Sequence, residues 1–243
     1  APRNSQFIVF GRADVWVTSN ARTASSGSGW TQLATSTVVN GSISGIGIGN
    51  GTNPQRIYIG TTNGKIMYTS NGGTNWSTGT GYGYVSDFAV DKTDDNIAYA
   101  SCGGTNANLK VFKTTNGGVN WTHIGAGIPN AAVNTIILRN ASPRAIFAGT
   151  DLGVYMSYNE GASWSLFNTG MPTVEVYDLK YRETNKILLA ATHGRGCFKI
   201  DLTIFTGIQN NNVTAESYGL SQNYPNPFNP TTKIKYSVPG SAL

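Results

Sequence analysis

The sequence predicts an all-β fold: a β-propeller of four-stranded blades, with about five blade units in 243 residues. Three observations predict it. Tryptophans recur at Trp30, Trp76, Trp121 and Trp164, separated by 46, 45 and 43 residues. Three of them close the same kind of turn. Four short strand-like runs fit each interval, and a period near 45 residues with four strands is the arithmetic of a propeller blade. Such a blade cannot bury its faces alone and must pack on a neighbour.

The turns come first. Residues 69–76 read TSNGGTNW, 114–121 read TTNGGVNW and 157–164 read SYNEGASW. Each has an Asn five residues before the Trp and a Gly three before it: Asn71 and Gly73 with Trp76, Asn116 and Gly118 with Trp121, Asn159 and Gly161 with Trp164. Asn and Gly accept positive φ, and the Asn side chain can bond the backbone of its own loop. Each turn is therefore expected to be a fixed plug between the third and fourth strands. The three tryptophans should be structural equivalents. A looser copy runs from Thr18 through Asn20 and an insertion to Gly29 and Trp30.

The strands follow the same beat. ISGIGIG, VSDFAV and VNTIIL open their units. FIVFG, RIYIG, NIAYA and AIFAG are apolar at nearly every position and are expected to be buried on both faces. DVWVT, KIMYT, KVFKT and GVYMS alternate, so one face should be wetter. A fifth unit, VEVYDLKY, KILLAAT and GCFKIDL, supplies three strands with no Trp turn after them. The first unit starts at its second strand. The two ends should thus expose blade faces, to be covered by further blades or by another chain.

Composition narrows the function. Only 12% of residues are charged and 39% are hydrophobic, which excludes a coiled coil or a charged disordered chain. Net charge is +5, but the 17 Lys and Arg never form a run of three, so no nucleic-acid partner is expected. No apolar stretch reaches the ~18 residues of a membrane span. The two cysteines, Cys102 and Cys197, are no disulfide framework and are expected as buried, unpaired thiols. His123 and His193 lack metal-ligand spacing, and no nucleophile elbow or phosphate loop is present, so neither metal nor cofactor is expected.

The turns resemble the Asp-box, or bacterial neuraminidase repeat, Ser/Thr-x-Asp-x-Gly-x-Thr/Ser-Trp, with Asn71, Asn116 and Asn159 in place of Asp. That repeat occurs in sialidases, sortilin-type receptors and xyloglucanase-type glycoside hydrolases. The resemblance covers about residues 7–202, and THGRGCFKI resembles the closing blade of the xyloglucanase-like group. In these families the repeat lies away from the active site, so it implies a fold and not a chemistry. A sialidase would need an arginine triad in a family context that no arginine here shows. A xyloglucanase-type enzyme uses two carboxylates from two propellers. GTDLGVYMS, residues 149–157, resembles its catalytic loop and makes Asp151 the candidate acid or base. No second matching Asp is present, and Asn63 occupies the equivalent place in TTNGKIMY. Asp87 and Asp178 share one position in the first strands of their units. They are candidates for binding a cation or sugar hydroxyls near the channel, or for capping strand ends.

The repeat stops near residue 205, so the blades are expected over 1–205. Residues 206–219 read as a polar linker. Residues 220–243 begin LSQNYPNPFNPTTKIKYSVP. This string closely resembles the start of a type IX secretion C-terminal sorting domain. It implies a truncated β-rich tail, the type IX machinery as a partner, and a secreted or outer-surface location. The expected function is a secreted or cell-surface binding or structural module for a polysaccharide or protein. The alternatives are a fragment of a xyloglucanase-type hydrolase and a sortilin-like peptide binder. The missing second carboxylate weighs against an enzyme.

Overall fold

The computed structural model describes residues 5–203, except 26, 27, 52, 53, 80, 105, 107, 143 and 169, together with 219–220 and 236–237. The chain divides into two compact units, Ala1–Ile204 and Phe205–Leu243. The second contributes one described strand pair, Gly219–Leu220 with Tyr236–Ser237. The remainder of the expected linker and sorting tail lies outside the described residues.

The first unit is a series of antiparallel meanders in chain order. The first sheet holds β1 (Ile8–Gly11), β2 (Val15–Thr18) and β3 (Thr31–Ala34). A short helix, Ser36–Val39, leads to β4 (Ile43–Ile48), β5 (Ile57–Thr61), β6 (Ile66–Thr69) and β7 (Ser77–Thr78). The third sheet is β8 (Val85–Val90), β9 (Ala98–Cys102), β10 (Val111–Thr114) and β11 (Thr122–His123). The fourth is β12 (Val133–Arg139), β13 (Ala145–Thr150), β14 (Gly153–Ser157) and β15 (Ser165–Leu166). The last is β16 (Val176–Arg182), β17 (Ile187–Thr192) and β18 (Gly196–Asp201). Among the described residues, the three middle blades have four strands and each end blade has three.

The first strands β4, β8, β12 and β16 stand side by side as the inner wall. Each opens with a bulge, at Ile43/Gly45, Val85/Asp87, Val133/Thr135 and Val176/Asp178. A bulge leaves one residue unpaired and re-aims its side chain. Here that residue is Ser44, Ser86, Asn134 or Tyr177.

The second strands carry the core. Tyr58, Tyr99 and Phe147 hold one register position and are completely buried against the following blade. Ile57 and Ile59 bury the opposite face with Val15, Ala34 and Val39 of the preceding unit. Burying each such side chain contributes on the order of 1.5–3 kcal/mol. Blades approach closely at Gly60 and Gly149, where a β-carbon would collide with Val85 and Val176 of the next blade. Only glycine permits that approach.

Burial on both faces fails at the two ends, which corrects the expectation for FIVFG and agrees with the expectation that the end units expose blade faces. Leu189 stands at the register of Tyr58, Tyr99 and Phe147 and is 37% exposed. On the other end blade, Ile8 and Phe10 stand where Ile57 and Ile59 are buried, yet they are 42% and 59% exposed. Each end sheet lacks a neighbouring sheet on one side among the described residues. The same cause corrects the reading of Cys197. It pairs in register with Ala191 on the outward face of the last sheet and is exposed, whereas Cys102 is buried. Both thiols are unpaired.

Candidate functional site

The three Trp turns share one hydrogen-bond scheme. The hydroxyls of Thr69, Thr114 and Ser157 donate to the side-chain oxygens of Asn71, Asn116 and Asn159 at 2.8, 3.0 and 3.0 Å. The same hydroxyls accept from the amides of Gly73, Gly118 and Gly161 at 3.1, 3.0 and 2.9 Å. Each Asn oxygen also accepts an amide four residues on, from Asn75, Asn120 or Ser163, at 3.0, 3.0 and 2.9 Å. The loop thus satisfies its own polar groups, and the ring that follows is free to enter the seam between blades.

Trp164 donates its Nε1–H to the Ile124 carbonyl of the preceding blade at 2.7 Å, and Trp76 does the same to Leu33 at 3.1 Å. Ile124 and Leu33 each lie three residues after the preceding Trp. Trp121 is buried in the same kind of seam but donates to Gly118 of its own turn at 3.2 Å. The residue three after Trp76 is Gly79, and no side chain there takes the place of Leu33 or Ile124. Tyr58 and Phe88 pack on the Trp121 ring instead, each with centroids 6.0 Å away. The turns are equivalent; one indole takes a different acceptor.

Glu160 departs from the pattern. The other two turns have Gly72 and Gly117 at this point, with φ of 67° and 72°, and Glu160 adopts φ 59°. A side chain in this region costs roughly 1–2 kcal/mol. Its carboxylate offsets that cost by tying two blades. It pairs with Lys113 at 3.0 Å and with Arg144 Nε at 3.0 Å, and it accepts the Tyr99 hydroxyl. Arg144 also pairs with the buried Asp91. Burial opposes the charge on Asp91, but the Thr93 hydroxyl and amide, Arg144 and the Asp94 amide outweigh it and hold its carboxyl below the usual range.

The candidate aspartates serve as braces. Asp87 on β8 reaches β12 of the next blade: its Oδ2 accepts from Thr135 Oγ1 at 2.8 Å and from the Ile136 amide at 3.1 Å, while Oδ1 accepts from the Phe88 amide at 2.8 Å. Burial pushes its carboxyl above the ordinary value despite these bonds. Asp178 has the same register in the last blade and, among the described residues, no next blade to brace. It forms an exposed pair with Lys180 at 2.9 Å. Asp151 accepts from the Asn134 side-chain amide at 2.9 Å and from the Ala132 amide at 3.3 Å, so both of its oxygens hold the entry to β12. Among the described residues, no group of three His, Cys, Asp or Glu could hold a metal ion.

Two arrangements escaped sequence reasoning. The bulge residues form a ladder between blades: Ser44 Oγ donates to Val85 O at 2.5 Å, Ser86 Oγ to Val133 O at 2.5 Å and Asn134 Nδ2 to Val176 O at 3.2 Å. Its signal was present, as a polar residue directly after each unit's opening Ile or Val. The second is a surface group on the last blade. Tyr177, at the ladder position, is 52% exposed. Its ring lies 5.4 Å from that of His193, whose Nδ1 is 3.4 Å from Glu175 Oε2.

No protein-family model matches the sequence, and no curated protein matches it. Solved structures do match the fold. An ancestral GH74 enzyme matches over 82% of this chain and 29% of its own, with TM-score 0.63 and 19% identity. The β-propeller domain of Myceliophteria thermophila Cps50 (Swd1) matches over 85% and 65%, with TM-score 0.63 and 10% identity. YCF48 bound to D1 peptide matches over 80% and 61%, with TM-score 0.53 and 14% identity. The protein is a β-propeller, and it spans less than two thirds of the length of each of these three structures.

Proposed function

We propose that the chain belongs to a secreted or cell-surface β-propeller that binds a polysaccharide or a protein partner through the loops on its faces. The observation that carries this reading is the use of its polar groups. The repeated turns are spent on plugging seams, and Asp87 and Asp151 are spent on bracing strands. What remains free is loop and rim surface, including the exposed Tyr177 beside His193 and Glu175. An aromatic face flanked by a carboxylate and an imidazole is suited to stacking on a sugar ring or a peptide side chain. The similar solved propellers include one bound to a peptide and one GH74 enzyme, so both ligand classes fit the fold.

The turns are taken as an Asn-bearing form of the Asp-box, and LSQNYPNPFNP as the start of a type IX sorting domain. The domain division follows: blades over 1–205, linker over 206–219 and sorting segment over 220–243. That assignment makes the protein extracellular and the type IX machinery its export partner. A hydrolase remains the second reading, through Asp151. An acid or base must reach the proton it moves, and an inverting pair needs a second carboxylate about 6.5–9.5 Å away. Asp151 holds backbone and side-chain amides instead. A glycan array and a peptide array run in parallel on the secreted protein test the proposal. Binding on either array that Tyr177→Ala weakens supports it; silence on both arrays rejects it.

A further inference from the structure

Three seams in this propeller take a tryptophan, and among the described residues a fourth seam is open. Trp76, Trp121 and Trp164 each stand ten residues after the same third-strand position, at Ile66, Val111 and Val154. The corresponding residue of the last blade is Cys197, and ten residues further the sequence has Gly207. Ile200 and Leu202 replace the Thr or Ser and the Asn of the other turns. The last unit therefore supplies no indole to the seam between the fourth and fifth blades.

That seam holds a cavity of about 110 Å³ lined by Val154, Phe167, Met171, Leu188, Ala190 and Phe198. The register maps each onto a residue of the cluster around Trp164. Val154 corresponds to Val111, Phe167 to Ile124 and Met171 to Ile128 on the preceding blade. Leu188 corresponds to Ile146, Ala190 to Ala148 and Phe198 to Tyr155 on the following blade. The walls that grip Trp164 recur around the cavity without the ring. A cavity of about 150 Å³ binds benzene; this one, at about 110 Å³ with Lys199 also in its lining, takes an indole only if part of the bicycle stays in its open mouth.

We propose that this seam pocket is a binding site for an indole ring, presented as a tryptophan side chain by a peptide partner. The ring would lie as Trp164 lies in its own seam, with its N–H toward the Phe167 backbone as Trp164 points to Ile124. This inference rests on seam geometry alone and stands whatever the face loops bind.

The test uses the full 243-residue chain with its methionine methyls labelled for NMR. There are three methionines. Met171 lines the pocket, and Met67 and Met156 lie buried in strands β6 and β14. The probes are indole and N-acetyltryptophanamide. The expected result is a saturable ring-current shift of the Met171 methyl with both probes, a smaller one at Met156, which shares a strand face with Val154, and none at Met67 in the second blade. Ala190→Phe, which fills the cavity, should weaken both at least tenfold. If that variant does not fold, Phe198→Trp blocks the same space from its half-buried side. A shift of equal size at Met67, no saturable shift, binding of indole alone, or binding unchanged by the blocking variant would overturn the proposal.

Discussion

Trp164→Ala measures what a seam plug is worth. The indole is only 9% exposed, is gripped by residues of two blades and donates at 2.7 Å to the Ile124 carbonyl. Truncating a buried Trp costs about 3–5 kcal/mol, including the cavity it leaves. The blades cannot collapse into that cavity, because Ile146 and Ala148 on one side and Val111 on the other are fixed in their ladders. In a domain of this size each kcal/mol moves Tm by about 2–4 °C, so Tm should fall by roughly 6–20 °C. Trp164→Phe keeps an aromatic ring and loses the N–H bond, and should cost less. Trp76→Ala should also cost less than Trp164→Ala, because Trp76 is only half buried. Differential scanning calorimetry on the three variants gives the order directly. A loss below about 1 kcal/mol for Trp164→Ala, or an equal loss for Trp76→Ala, would refute the plug account.

Further outcomes follow from the same contacts. Asp91 and Glu160 have folded-state pKa values below their ordinary 3.8 and 4.5, so the stability they contribute is present above those values and lost as pH falls below them. Denaturant midpoints measured from pH 6 to pH 3 should drop on acidification, and Arg144→Met should flatten the drop; an unchanged slope would contradict the pairing. At position 160, stability in urea should rank Glu and Gly above Ala, because Ala keeps the positive φ without the ion pairs. Burial pushes the Cys102 thiol up to about 12, while Cys197 is exposed. Iodoacetamide should therefore label Cys197 alone until the protein is unfolded, and early labelling of Cys102 detected by mass spectrometry would contradict the packing.

The repeat was legible because its parts are local. The eight residues from Thr114 to Trp121 hold nearly every bond of their turn, so spacing alone predicted a rigid plug. The strand order followed from the alternation of apolar runs. What a strand faces was not legible, because that depends on the next blade. Ala191 and Gly60 look alike in sequence, yet one is exposed and the other is pressed against Val85. Cys197 was misplaced for the same reason. The aspartates show the limit most clearly. Asp87 and Asp178 share a register, but only Asp87 has a neighbour to brace, and no motif records that. Glu160 breaks the glycine rule of its turn, and its reason lies 47 residues away in Lys113.

The central claim is that the motif-bearing carboxylate of this propeller is a brace and that the protein binds without turnover. Release of reducing ends from xyloglucan, measured for the native protein and for Asp151→Asn, tests it most directly. The account predicts no release by either protein and a modest loss of thermal stability in the variant, since an amide nitrogen would replace one oxygen that now accepts from Ala132 or Asn134. Turnover by the native protein that falls by orders of magnitude in Asp151→Asn, with Tm unchanged, would contradict it.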